Sequence, residues 1–296
     1  MSQSFLYVTG LNTQGRGKWA GWTVWTSWTG RLKESEMVKG IEYVNHVWNP
    51  ITGCSPVSSG CLNCYARRMA EQNRGRCDYP SVEPFRVMRH AYRLDRAYAQ
   101  HPWNLKSPRR ILVNSMGDLW HEAVPLDWWA EILQVFRDVP QHTYLVLTKR
   151  PERMAAWAES LEMGRETWEK AFGNVWLGVT VENDAVCRDR CKALLRIPGG
   201  VRWVSVEPIL SEVPSLRHYL GRDKISWVVC GPETGPGARP ADMRWIQGVR
   251  DSCVAAGVPF FLKAYNGWLD GRQWQEIPGE GDFGLGIGDC GLFEGL

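Results

Sequence analysis

Seven short apolar runs mark the chain between residues 43 and 262, at 43–48, 110–115, 142–148, 175–181, 201–206, 225–230 and 258–262. They are nearly continuous rather than alternating, the signature of parallel strands covered on both faces. Between most of them, apolar positions recur at three- and four-residue intervals. That spacing predicts helices over 65–71, 126–139, 152–162, 185–195 and 243–256. Strand and helix alternate, so the fold class is α/β. At this length a (β/α) barrel of the TIM type, partial or complete, is the leading architecture, with a doubly wound open sheet as the runner-up. Residues 1–40 differ. Trp19, Trp22, Trp25 and Trp28 recur every three residues among Gly, Thr and Ser, a period that fits neither helix nor strand. The expected organisation is a Trp-rich N-terminal extension (1–40), a barrel (41–268) and an irregular Gly-rich tail (269–296).

The strand ends sharpen the picture. The first run leads into a turn-rich loop carrying Cys54, Cys61 and Cys64, in the pattern C-x6-C-x2-C. The second delivers Asn114, Ser115 and Asp118, the third Lys149 and Arg150, and the fourth Glu182 and Asn183. The fifth delivers Glu207, the sixth Glu233 and the seventh Lys263. In parallel α/β folds these ends converge on one mouth where ligands bind. Seven polar endings in register predict a shared site.

Three thiols on one loop invite a metal. A structural zinc ion needs a fourth ligand, with Cys77, His46 and His90 nearest in sequence, and no second C-x2-C half is present. A [4Fe–4S] cluster held through three of its irons leaves the fourth iron open. A third reading makes the cysteines small buried residues, against which their polar loop argues. Spacing alone leaves zinc and cluster level; position at the first strand end favours the cluster. Cys187 and Cys191, one helical turn apart, make half a metal site at most and are read as core or surface, and Cys230 as buried. His121, beside Trp120, is read as structural, with a proton-donor role as the alternative.

Composition narrows the setting. The 296 residues are 44% hydrophobic and 23% charged, ordinary globular values. No apolar run is long enough to span a membrane, and no charged-then-apolar leader opens the sequence. Nine cysteines, an odd number, do not suggest a disulfide framework. A cytoplasmic protein with metal-bound thiols is the expectation. The net charge of +3 names no partner. Between Arg67 and Arg110, however, eleven basic residues face four acidic ones, with Tyr79, Phe85, Tyr92, Tyr98 and Trp103 interleaved. That mixture suits phosphate contact and base stacking; the competing reading is a solvated face over buried aromatics.

Six blocks carry a resemblance to a known family. They are Val47-Trp-Asn-Pro-Ile-Thr-Gly-Cys54 through Cys64-Tyr-Ala66, Asn114-Ser-Met-Gly-Asp-Leu119 and Leu147-Thr-Lys-Arg-Pro-Glu-Arg153. The rest are Asn174-Val-Trp-Leu-Gly-Val-Thr-Val-Glu-Asn183, Ser205-Val-Glu-Pro208 and Gly231-Pro-Glu-Thr-Gly-Pro-Gly-Ala-Arg-Pro240. In this order, over roughly 43–268, they resemble the phage and prophage three-cysteine-motif family of radical S-adenosylmethionine-like proteins. Two departures stand out. The first cysteine gap is longer than the C-x3-C-x2-C usual in radical enzymes, and Gly231-Pro-Glu-Thr234 replaces a common Gly-Gly-Glu-Ser.

The resemblance implies a barrel of the radical S-adenosylmethionine kind, a [4Fe–4S] cluster on Cys54, Cys61 and Cys64, and S-adenosylmethionine chelating the open iron. An external electron donor would reduce the cluster, and cleavage of the sulfonium would give a 5′-deoxyadenosyl radical that removes a substrate hydrogen. The cofactor carries that chemistry while the protein orients it and excludes water. Under this reading Tyr65 packs on the cluster or on adenine. Asn114, Ser115 and Asp118 accept from the methionyl ammonium, and Lys149 or Arg150 holds the carboxylate. Glu182 and Asn183 hold ribose hydroxyls, and Glu233 and Arg239 serve the substrate or the far side of the cofactor. Lys149, Glu207 and Lys263 are the candidates for catalytic work, with a purely structural Glu207–Lys263 pair as the alternative. The expected substrate is a nucleic acid, DNA favoured, or a modified nucleotide. The reaction would rearrange or modify a hypermodified pyrimidine of phage DNA in an infected or lysogenic host. The alternatives are a lesion lyase in the manner of the spore photoproduct lyases and a non-catalytic zinc-stabilised nucleic-acid-binding protein.

Overall fold

The computed structural model of the chain describes residues 41–279. The expected Trp-rich extension lies outside them, as does the tail beyond 279. Seven parallel strands form one sheet: β1 (His46–Trp48), β2 (Arg110–Val113), β3 (Thr143–Thr148), β4 (Val175–Thr180), β5 (Arg202–Val206), β6 (Trp227–Cys230) and β7 (Phe260–Leu262). Among the seven, each pairs only with its sequence neighbours, in the order β1 to β7. This singly wound order excludes the doubly wound alternative, in which strand order reverses at a switch point. Among the described residues β1 and β7 do not pair, so the barrel is partial.

The sheet is nevertheless curled. Tyr43, just before β1, lies edge-on against Trp203, Trp227 and Phe261 on β5, β6 and β7, with ring centroids 5.7–5.8 Å apart. A residue at one edge reaches the opposite strands only if the sheet rolls up. Side chains alternate cleanly between its faces. Leu112, Leu145, Trp203, Trp227, Val229 and Phe261 point inward and pack with Tyr43 and Val44. Ile111, Val113, Tyr144, Val146, Val204, Val228 and Phe260 point outward beneath the helices. Tyr43 and Val44 thus turn into the bore, which shortens β1 relative to the expected 43–48. Gly178 makes room there: a Cβ on it would sit 2.5 Å from the Trp203 indole.

Among the described residues six helices of eight residues or more lie between or beside the strands: α1 (Tyr65–Gln72), α2 (Leu126–Asp138), α3 (Pro151–Ser160), α4 (Arg165–Phe172), α5 (Asp184–Leu194) and α6 (Met243–Ala256). Each longer one buries a narrow stripe, as Trp129, Ile132 and Phe136 on α2 and Ile246, Val249 and Cys253 on α6 show. Caps fix their ends. The Asn183 side chain accepts from Val186 N at the start of α5, Asp242 accepts from Arg244 N at the start of α6, and Gly257 ends α6 in the left-handed region. No helix of the described residues is long and apolar enough to cross a membrane.

The described part of the tail, to residue 279, carries regular structure. Trp268–Leu269 pairs antiparallel with Arg272–Gln273, so the boundary expected at 268/269 falls inside a hairpin. The chain then runs along β7: Leu262 N donates to Trp274 O (2.7 Å), Glu276 N to Phe260 O (3.2 Å), and Gln275 bridges Phe261 in antiparallel sense. Trp227 Nε1 donates to Glu276 O, and Gln275 Nε2 reaches Glu42 across the seam. Residues 274–276 therefore cover the outer edge of β7.

Candidate active site

The inward parity of each strand continues past its C-terminal end. Leu145 and Leu147 lead to Lys149, Trp176 and Thr180 to Glu182, Trp203 and Ser205 to Glu207, and Phe261 to Lys263. Val229 leads through Gly231 to Glu233. An apolar floor of Tyr43, Trp203, Trp227 and Phe261 is thus overlain by inward-facing charged groups.

The cysteine loop rises from the same end. Its base is tied by a two-residue antiparallel ladder between Ile51–Thr52 and Met88–Arg89. Gly53 turns the chain with φ near +90°, and a Cβ there would overlap Arg86 O at 1.9 Å. Two charged clamps hold the loop on the barrel. Arg150, at the start of α3, donates through Nη1 to Cys54 Sγ (3.3 Å) and Asp118 (3.3 Å), and through Nη2 to Ser55 O (3.1 Å) and Oγ (2.9 Å). Its Nε bonds both Glu122 oxygens at 2.9 Å. Glu182, fully buried, accepts from Ser58 Oγ (2.8 Å) and from Arg190 Nη1 on both oxygens (3.2 and 3.1 Å), with Lys149 Nζ at 3.8 Å. Gly60 packs directly on it; a Cβ there would lie 2.4 Å from Glu182 Cγ.

All three thiols are free and half-buried. Burial, reinforced by the Asp118 charge, pushes the Cys54 thiol up to about 11 although Arg150 opposes it. Burial also acts to raise Cys61, but hydrogen bonds from the Val57 and Ser58 backbone and the Lys149 charge outweigh it, so its thiol is lowered. Two of the three expected fourth zinc ligands have partners of their own: His46 Nε2 contacts Gln100 O (3.0 Å) and His90 Nε2 contacts Thr52 Oγ1 (2.8 Å), while Cys77 is a free thiol. Among the described residues no three His, Cys, Asp or Glu side chains gather closely enough to hold one ion. The donor set is three soft sulfurs with fixed cations beside two of them. Three sulfurs suffice for an iron–sulfur group ligated at separate irons, whereas a closed tetrahedral ion needs a fourth ligand.

Several expected cofactor contacts are committed to the protein itself. Asp118 accepts from Thr148 Oγ1, Trp120 N, Lys149 N and Arg150, leaving neither oxygen idle. Glu182 and Arg150 act as the clamps just described, and Asn183 is a helix cap. Ser115 Oγ donates to Asn49, and its carbonyl accepts from the Tyr65 hydroxyl. Asn114 leaves its donor unpaired. It sits in the left-handed region (φ 58°), and its Oδ1 already accepts from Ile51 N (3.1 Å). Its Nδ2 is buried with no hydrogen-bond partner, a donor rather than an acceptor. Glu207 and Lys263 do pair, at 2.8 Å, with Ser205 Oγ donating to the other Glu207 oxygen. Both remain partly exposed at the mouth.

The loop after β6 crosses the rim. Glu233 accepts from Arg239 Nε (2.8 Å) and N (2.9 Å) and from Asn63 Nδ2 (2.9 Å), which hold its carboxyl down to about 2. Asn63 also donates to Gly237 O, and Arg68 to Thr234 O and Pro236 O. The 231–240 loop is thereby latched to the cysteine loop and α1. Sequence reasoning missed Ser58, Asn63, Arg68 and Arg190. Ser58 and Asn63 lie within the cysteine block, Arg68 within the basic segment and Arg190 within the helix expected over 185–195, but residue type there does not reveal a partner.

The basic segment proves partly self-neutralised. Arg74, Arg89, Arg93 and Arg96 pair with Glu71, Glu131, Asp78 and Asp138, and Arg96 also stacks on the half-exposed Trp103 at 3.8 Å. Cys187 and Cys191 lie buried 3.7 Å apart in the core, and Cys230 is buried as expected. His121 receives Ala123 N on Nδ1 and faces Ser55 Oγ through Nε2, a bracing position.

A family described as "Protein of unknown function (DUF5131)" matches residues 38–280. No curated protein sequence matches the chain. Solved structures of spore photoproduct lyase are similar in fold. A doubly substituted form with bound AdoMet and dinucleoside spore photoproduct is 11% identical over 75% of this chain and 77% of that one, with TM-score 0.51. The lyase complexed with dinucleoside spore photoproduct covers 72% and 74%, also at 11% identity, with TM-score 0.48.

Proposed function

This chain belongs to the DUF5131 family, and we propose that it acts as a radical S-adenosylmethionine enzyme on a base of nucleic acid or on a modified nucleotide. The observation that carries the reading is the placement of three free, clamped thiols beside a ring of inward charged groups at the C-terminal ends of a parallel half-barrel. The fold likeness to a lyase that binds AdoMet supports it.

Cys54, Cys61 and Cys64 would hold a [4Fe–4S] cluster. When bound, the cluster and S-adenosylmethionine supply one electron and a carbon radical able to remove a hydrogen atom from an unactivated carbon. The chain's own residues do the rest. The unpartnered Asn114 Nδ2 and the Lys149 ammonium are donors suited to the methionyl carboxylate. Glu207 and Lys263 offer an acceptor and a donor to a substrate seated over the aromatic floor, which excludes water from below. Tyr65, bonded to the Ser115 carbonyl, holds α1 against the second strand end. Phage DNA carrying a hypermodified pyrimidine is the proposed substrate, from the sequence resemblance, and rearrangement or modification of that base the proposed reaction. A lesion lyase is the second reading, favoured by the neighbour with bound dinucleoside photoproduct.

Anaerobic purification followed by incubation with dithionite and S-adenosylmethionine tests the proposal. Release of 5′-deoxyadenosine, abolished in Cys61→Ala, is the expected result. A colourless protein holding stoichiometric zinc and releasing nothing sinks it in favour of a binding module. A lyase regenerates the cofactor during turnover, whereas most other radical reactions consume it.

A further inference from the structure

We propose that Arg150 sets the reduction potential of the cluster by hydrogen-bonding the Cys54 ligand sulfur. The inference rests on the iron–sulfur reading above and goes beyond it by assigning a tuning residue outside the three cysteines. The guanidinium is almost wholly buried, with 5% of its side chain exposed, and its Nη1 lies 3.3 Å from Cys54 Sγ. Every donor nitrogen is directed: Nε to Glu122, Nη1 to Cys54 and Asp118, Nη2 to Ser55 O and Oγ. Its backbone N is fixed by Thr148 Oγ1 at 2.8 Å. The cation therefore cannot swing away when the charge of the site changes.

Reduction of the cluster from the 2+ to the 1+ state by one electron from dithionite adds a negative charge without forming or breaking a bond. Hydrogen bonds to ligand sulfurs, net charge and burial are the terms that set such potentials. A permanent buried cation at a ligand sulfur favours the reduced state. Two carboxylates oppose it unequally. Asp118 is nearly buried, whereas Glu122 is 68% exposed and screened by solvent. Removing Arg150 also leaves the Asp118 charge uncompensated beside Cys54, so the two effects add.

The test is an EPR-monitored redox titration of the anaerobically reconstituted full-length protein. Arg150→Gln is expected to lower the potential by at least a tenfold change in the reduction equilibrium, 59 mV for one electron. Arg150→Lys, which keeps the charge and loses the fork, is expected to shift it less in the same direction. Glu122→Gln, at an exposed position that does not threaten folding, is expected to raise it. A merely structural clamp would change cluster content in the Arg150 variants but leave the potential of loaded protein in place. Potentials equal to wild type in Arg150→Gln or Arg150→Lys and in Glu122→Gln, at equal iron and sulfide content, overturn the proposal. Absence of a [4Fe–4S] signal in the wild type overturns the reading beneath it, an outcome seen before any variant is compared.

Discussion

Replacing Gly60 by alanine isolates the contact that seats the cysteine loop. The added Cβ would lie 2.4 Å from Glu182 Cγ, 2.5 Å from Oε1 and 2.7 Å from Cδ. Carbon atoms in ordinary contact stand about 3.5–4.0 Å apart, so a gap of roughly 1 Å must open. Glu182 cannot provide it: it is fully buried, with Arg190 on both oxygens and Ser58 on one. Nor does the backbone at Gly60 resist alanine, since its φ is not in the left-handed region. The loop must lift, and the Ser58–Glu182 bond breaks. Overpacking costs about 1–3 kcal/mol and loss of a hydrogen bond to a charged group about 1.5–3 kcal/mol, part of it recovered by water. A net loss of about 2–4 kcal/mol corresponds to a fall in Tm of roughly 4–16 °C for a domain of this size. The assays are differential scanning fluorimetry of the apoprotein and iron content after reconstitution, both expected to fall. Unchanged Tm and unchanged iron loading would refute the claim that Glu182 supports the loop.

Further outcomes follow from particular surroundings. Gly178→Ala drives a methyl into the Trp203 indole at 2.5 Å and should destabilise by about 1–3 kcal/mol with an altered near-UV tryptophan spectrum; Gly248→Ala on α6, with nothing within 4 Å, should instead stabilise by up to about 1 kcal/mol. His90 is lowered to about 4 by burial and by Arg93, so the unfolded chain, with a histidine pKa of about 6.5, binds the extra proton. Its stabilisation is therefore full above about pH 6.5 and lost as the pH falls towards 4, and a urea midpoint that drops over this window less in His90→Gln than in wild type checks it. Arg239→Ala should loosen the 231–240 latch, costing about 1.5–3 kcal/mol and speeding proteolysis within the loop. Because Glu233 is depressed to about 2, the wild-type latch should hold above the ordinary carboxylate range and fail only as the pH falls through that value.

Much of the architecture was legible because covered parallel strands write themselves as apolar runs. α2, α5 and α6 fall within a residue or so of expectation for a related reason: each carries one apolar stripe between recognisable ends. α4 was not seen, since its only buried side chains are Trp168 and Phe172 in a charged stretch opened by Gly164. An apolar run also does not reveal which alternate residues face the bore, because both faces are buried; only the curl shows that Trp203 and Trp227 point in and Val204 and Val228 out. At the site, residue type announced the thiols and the charged rim. Partnership did not show. The sequence marks Arg150 and Glu182 by type and position but not the partners that hold them, Glu122 and Ser55 for the one and Ser58 and Arg190 for the other. Asn114 was singled out from its motif, but its orientation depends on Ile51 N, 63 residues away.

The strip laid along β7 by residues 274–276 carries a consequence for assembly. An open sheet ends in a row of vacant amides and carbonyls that invites another chain to add on. Here the molecule supplies its own terminal rung, so self-association through that flank is blocked from within. A protein cut short before Trp274 is expected to expose the backbone edge of Phe260, Phe261 and Leu262 and to associate more than the intact chain, which size-exclusion chromatography would read.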